Sequence, residues 1–185
     1  MRYQFSYSRR LFCVIAALST CTTFQVSHAI DETIQAPNVV KISPFLVTSG
    51  QPSAKSLERL ALQNFSAVIY LAPTTVSDAV AGEAEIVRAQ GLEFIHIPIP
   101  FGNPTQVDVE AFFEAMKRLE GKKVLVHCQV NMRASSMTFL YRSIIAREKP
   151  EFAYEAVSKV WSPSGPWKKL IVDQLKRAEI TFEPF

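Results

Sequence analysis

Apolar residues in this chain fall into short continuous runs, and the stretches between them carry helical spacing. Residues 39–42 and 45–47 read as short strands split by Ser43-Pro44. Ser49-Gly50-Gln51-Pro52-Ser53 is a turn cluster that ends on a residue able to cap a helix. Leu57, Leu60, Ala61 and Leu62 then predict a helix over 54–63, and the apolar run 67–71 predicts a buried strand. An Ala-rich helix is expected over 78–90 with Gly91 closing it. A strand over 92–99 ends at Pro98 and Pro100. Thr105-Gln106-Val107-Asp108 has the form of a capping box, and its helix continues over 109–119 to Gly121. Residues 123–127 are the next buried strand. Met137, Leu140, Tyr141, Ile144 and Ile145 place a helix over 133–147, and two more are expected over 151–161 and 167–180.

Strands and helices alternate from residue 54 onward with short connections. That order predicts an α/β fold: a parallel-centred sheet flanked by helices on both faces, in a single domain, completed by a C-terminal helical hairpin. No internal repeat or low-complexity segment interrupts it.

The first 29 residues have a different character. Arg2, Arg9 and Arg10 precede a mostly apolar stretch, 11–24, and Ser27-His28-Ala29 offers small residues at cleavage offsets. This is the pattern of a signal peptide, so residues 30–185 are expected to form the mature domain of a bacterial periplasmic or secreted protein. Ser8-Arg9-Arg10-Leu11-Phe12 has twin-arginine form, and Leu18-Ser19-Thr20-Cys21 has lipoprotein-box form with an atypical Thr. Membrane attachment is expected only if Cys21 carries lipid. The formal net charge of +3 belongs entirely to the three leader arginines, since no Asp or Glu lies among them. The balanced remainder argues against an electrostatic binder of nucleic acid.

Candidate chemistry sits at the end of the strand over 123–127. His127-Cys128 is followed by the short segment Gln129-Val130-Asn131-Met132 and by Arg133, which opens a helix. A thiol there lies beside the N–H groups of a helix N-terminus, where an anion is favoured. A guanidinium across the loop offers a planar fork to an oxyanion. Both favour a thiolate nucleophile. The other two cysteines, Cys13 and Cys21, lie in the leader, so Cys128 has no partner for an internal disulfide after cleavage. A buried, inert Cys is the plainer alternative. His96 and His127 with one Cys are too few for a convincing zinc site, and no metal or other cofactor is expected.

Strand, His-Cys, anion loop, Arg and helix together resemble the signature of the cysteine-dependent protein tyrosine phosphatase superfamily. Thr48-Ser49-Gly50-Gln51-Pro52, Val68-Ile69-Tyr70-Leu71 and Ile95-His96-Ile97-Pro98-Ile99 occur in similar order in small bacterial relatives of dual-specificity-phosphatase-like or beta-lactamase-hydrolase-like type. The resemblance covers about residues 39–180. It implies a phosphorylated substrate, Cys128 as nucleophile attacking phosphorus and Arg133 as the phosphate clamp. It further implies that the amides of Gln129, Val130, Asn131 and Met132 cradle the phosphate, with His127 fixing the loop. Ser135 is implied either as a partner of the thiolate or as a first-turn residue of the helix.

Three features depart from that pattern. The spacing is Cys-x4-Arg, one residue short of the superfamily's. The loop lacks its Gly, leaving Asn131 as the residue best able to turn left-handed. The segment Pro100-Phe101-Gly102-Asn103 has no carboxylate where a general acid is expected. Asp108 is the nearest candidate acid, with helix capping as its competing role, and Asp78 is a further one. The short loop also fits a rhodanese-like sulfurtransferase working through a persulfide, and the missing acid fits an anion-binding pseudo-phosphatase. Trp161 and Trp167 either line a substrate rim or anchor a helix–helix turn.

Overall fold

In the computed structural model, residues 1–2 and 33–183 are described; the leader features lie outside them. Five strands form one sheet: β1 (Val40–Ser43), β2 (Leu46–Ser49), β3 (Ala67–Tyr70), β4 (Glu93–His96) and β5 (Val124–His127), in the order β1-β2-β5-β3-β4. β1 and β2 are an antiparallel hairpin, and the β2–β5, β5–β3 and β3–β4 pairs are parallel. The expected parallel-centred α/β sheet is therefore present, with an antiparallel strand at one edge.

Alternation along the strands divides the core. Val47, Val68 and Leu125 face one side, where they meet Leu57 and Leu60 of the segment after β2 and Val87 of α2 (Glu83–Arg88). Ala67, Ile69, Val124 and Val126 face the other, against α3 (Gln106–Arg118), α4 (Met132–Ile144), α5 (Pro150–Ser158) and α6 (Gly165–Arg177). Strands β3 and β5 are buried along their whole length, which is why they read as unbroken apolar runs. Strand α–β spacing is thus met by helices on both faces, and α5 and α6 both pack on α4.

Several expected elements differ in extent. The helix over 54–63 is a short α1 (Ala54–Leu57), capped by Ser53, followed by a 3-10 turn over Ala61–Gln63 that ends at left-handed Asn64. Leu57 and Leu60 are both fully buried, and a tightened turn brings residues three apart onto one face. The helix over 78–90 shrinks to α2, because Gly82 takes a φ of 69° and starts the helix only at Glu83. The strand over 92–99 is regular only to His96, although Ile97 and Ile99 still donate to Tyr70 and Leu71. β1 and β2 both begin one residue later than expected and run through Ser43 and Ser49. The capping box of α3 forms as its sequence predicts, with Thr105 and Asp108 exchanging bonds.

Candidate active site

Parallel register sets Ser49, His127, Tyr70 and His96 side by side at the C-terminal ends of β2, β5, β3 and β4. In open α/β sheets that end is where ligand sites form. Cys128 is the first residue past β5 and is fully buried. Its amide donates to the Ser49 carbonyl (3.2 Å), and the preceding His127 carbonyl accepts from the Leu71 amide (2.8 Å). The base of the Cys128 loop is therefore tied to a strand on each side.

The loop beyond Cys128 is held from outside. The Gln129 carbonyl accepts from the Gln51 amide (3.0 Å), and the Val130 carbonyl accepts from Asn38 Nδ2 (3.0 Å). In a planar trans peptide the next N–H points opposite to the carbonyl. The Val130 amide is thus directed away from that outer wall, the orientation an anion cradle needs. Asn131 is the left-handed residue of the loop, with φ 70°, and its Nδ2 donates to Asn38 O (2.6 Å) and Thr48 Oγ1 (3.1 Å). Gly50 touches the same wall. A Cβ there would lie 2.7 Å from the Gln129 carbonyl oxygen and 2.9 Å from Pro37 Cβ, so only glycine permits this approach.

α4 starts at Met132, and Arg133 is its second residue. The Arg133 side chain is buried, and Nε donates to the Ile99 carbonyl (2.9 Å). Its guanidinium carbon lies 5.1 Å from the centre of the Phe101 ring. Phe101 is itself anchored, because Trp167 Nε1 donates to its carbonyl (2.8 Å) and both Trp161 and Trp167 meet its ring. Trp167 is fully buried and acts as a core anchor; Trp161 is half-buried beside the rim. Ser135 Oγ donates to the Met132 carbonyl (3.3 Å), a first-turn bond.

Behind the loop lies a buried polar group that the sequence reading did not single out. His127 Nε2 is 2.6 Å from Glu83 Oε1, and Gln51 Nε2 donates to Glu83 Oε2 (2.7 Å). The His127 ring stacks on Tyr70 (4.7 Å), which stacks on His96 (5.0 Å). The Tyr70 hydroxyl is pushed up to about 12, first by burial and then by the negative charges of Glu83 and Asp78, with Arg133 opposing and Cys128 adding to the rise.

Asp108 has another task. Its Oδ2 accepts from the Thr105 amide and hydroxyl, both at 2.8 Å, and closes the α3 cap. Asp78 lies exposed on the connection from β3 to α2. Among the described residues no group of three or more His, Cys, Asp or Glu side chains is disposed to hold a metal. Glu83, Tyr70 and Phe101 were missed because each sat inside a predicted element or a loop with no chemical pattern. The one available signal was position: Tyr70 and His127 end neighbouring buried strands.

A family model described as "DSP-PTPase phosphatase fused to NAD+ Kinase" matches residues 21–166. The chain belongs to this family. Among solved structures, it is similar to a DUF442 phosphatase-family protein of Shewanella putrefaciens CN-32, with 30% identity, a TM-score of 0.70, and coverage of 77% of this chain and 91% of that one. The fold is shared with PTPMT1, solved in complex with PI(5)P, at 19% identity and a TM-score of 0.63, covering 77% of this chain and 97% of that one. Among curated relatives, the beta-lactamase hydrolase-like protein of Xylella fastidiosa (strain Temecula1) is 31% identical over 114 residues, 60% of this chain and 26% of that protein. The chain thus spans about a quarter of the length of the curated relatives it matches. The phosphatase-like resemblance and the single α/β domain are both shown by these matches.

The contact at Gly50 yields a direct test. Gly50→Ala should force the Gln129 carbonyl to move, destabilise the fold by about 1–3 kcal/mol and lower turnover of an activated aryl phosphate by about 10- to 100-fold. Urea denaturation and steady-state kinetics check the two effects, and unaltered kinetics would show that the wall does not set the loop.

Proposed function

We propose that this chain is an exported, cysteine-dependent hydrolase of phosphomonoesters that works through a phosphocysteine intermediate. The observation that supports it most is the joining of Cys128 at the end of β5 to Arg133 in the first turn of α4. The loop between them has carbonyls bound from outside. In the proposed first step the Cys128 thiolate attacks phosphorus, the bond to the ester oxygen breaks, and an acid protonates that oxygen. In the second, water attacks the phosphocysteine, gives up a proton to the same carboxylate, and inorganic phosphate leaves as the thiolate re-forms. With Nε held by Ile99, Arg133 would present its two terminal nitrogens to the phosphoryl oxygens. Phe101 and Val130, both exposed, give the mouth apolar edges suited to an organic leaving group.

The acid in this reading is Asp78, not Asp108. Asp108 is committed to the helix cap, while Asp78 is exposed on the connection after β3 and its charge contributes to raising the Tyr70 phenol. Export rests on the leader pattern, which is independent of the fold.

The mature chain should hydrolyse an activated aryl phosphate, and Cys128→Ser should abolish this. Arg133→Ala should lower turnover by about 10²–10³-fold and remove the protection that phosphate gives Cys128 against iodoacetate. If the intact, reduced chain leaves aryl phosphates untouched but transfers sulfur from thiosulfate, the persulfide reading replaces this one.

Asp78→Asn should slow alkyl phosphates by about 10²-fold and activated aryl phosphates by far less. Asp108→Ala should instead lower stability by about 1 kcal/mol without that dependence on leaving group. The reverse pattern would return the acid role to Asp108. Cell fractionation followed by N-terminal sequencing should find a periplasmic chain beginning at Ile30; a full-length chain held in the cytoplasm would rule out export.

A further inference from the structure

The buried carboxylate of Glu83 touches both flanks of the nucleophile. One oxygen meets His127, the residue before Cys128. The other accepts from the side chain of Gln51, whose backbone amide holds the carbonyl of Gln129, the residue after Cys128. Glu83 opens α2, a helix packed on β4 and α1, so these two contacts join the nucleophile's flanks to an element that carries none of the loop. We infer that Glu83 is a positioning residue that sets the Cys128 loop from behind through His127 on one side and Gln51 on the other.

Electrostatics argue that position is the reason for this group. A carboxylate buried near a thiolate repels it, and near an incoming phosphate it repels that too. Burial of a charge is itself unfavourable without partners. A carboxylate kept there against both penalties needs a compensating role. Two contacts that reach residues 127 and 129 at once supply one, because a neutral apolar group could hold neither. The position also sets Glu83 apart from the acid role, since it is buried and one of its oxygens accepts from Gln51.

This inference rests on the proposed role of Cys128, but its first readout does not need phosphatase activity. In full-length mature protein, the rate of Cys128 modification by iodoacetate and its protection by inorganic phosphate are measured for Glu83→Ala, Glu83→Gln, Gln51→Ala and the Gln51→Ala/Glu83→Ala pair. Turnover of an aryl phosphate is measured beside them. Glu83→Ala and Gln51→Ala should each weaken phosphate protection and lower kcat by about 10- to 100-fold. Glu83→Gln keeps a carbonyl for His127 and an amide that can meet the Gln51 side-chain oxygen, so it should recover most of the loss. Because the Gln51 side chain acts through Glu83, the double variant should be little worse than Glu83→Ala alone.

A merely structural role predicts a lower melting temperature with ordinary modification, protection and kcat well below the melt, and that result would overturn the inference. Additive losses in the double variant would also overturn it. If Glu83→Ala does not fold, Gln51→Ala and Glu83→Gln decide the matter. If no variant and no native protein turns over phosphate esters while protection still depends on Glu83, the phosphatase reading fails and the positioning role stands.

Discussion

The parallel pairing of β2 with β5 is the constraint on which the site depends. It places Ser49 opposite His127, so the chain leaving β2 runs alongside the chain leaving β5. Pairing then continues past both strands: Ser49 takes the Cys128 amide, Gly50 lies against Val130, and Gln51 takes the Gln129 carbonyl. Each contact turns a loop carbonyl outward or fixes the loop's base. An anion cradle needs its amides freed from secondary structure yet rigidly aimed. A neighbouring segment that satisfies the carbonyls from outside meets both needs. The glycine at 50 is what lets the two backbones come that close.

The same arrangement explains how the short loop keeps its shape. The Cys-x4-Arg spacing leaves four residues to leave a strand, turn and enter a helix. One of them must take a left-handed conformation, and without a glycine this is unfavourable unless the side chain helps. Asn131 does so by donating to Asn38 and Thr48, which lie on the two arms at the open end of the β1–β2 hairpin. The antiparallel hairpin at the sheet's edge is therefore part of the site's support, and not only an extension of the sheet.

Much of this was readable in the chain. Residues 67–71 and 123–127 announce buried strands because both sheet faces are covered, and the short parallel connections follow from the order of elements. Asn131 was readable as the left-handed residue of the loop, and Cys128 and Arg133 as the residues at its two ends, between β5 and α4. Glu83 was not, because nothing in Gly82-Glu83-Ala84-Glu85 tells which glutamate turns inward. That choice is made by Gly82, whose positive φ sets the phase of α2, and by distant Gln51 and His127. The helix expected over 78–90 failed for the same reason: alanine propensity is a weak bias, and a left-handed glycine with a buried carboxylate next to it outweighs it. Asp108 was readable from the sequence either as a cap or as an acid, and its two bonds to Thr105 show the cap.

The segment after β4 shows how a loop without a carboxylate can order an arginine. Where a carboxylate was expected, the chain carries Phe101, and the ring lies against the Arg133 guanidinium. Its carbonyl is held by Trp167, sixty-six residues away on α6, and its neighbour Ile99 takes Arg133 Nε. The arginine is thus fixed by a carbonyl and an aromatic face. A carboxylate in that place would draw the guanidinium to itself by charge and compete with an anionic ligand. An aromatic face and one carbonyl orient the arginine without neutralising it. The aromatic cluster of Phe101, Trp161 and Trp167 therefore serves the core and the arginine together, which is why its residues are buried in series from α6 outward to the rim.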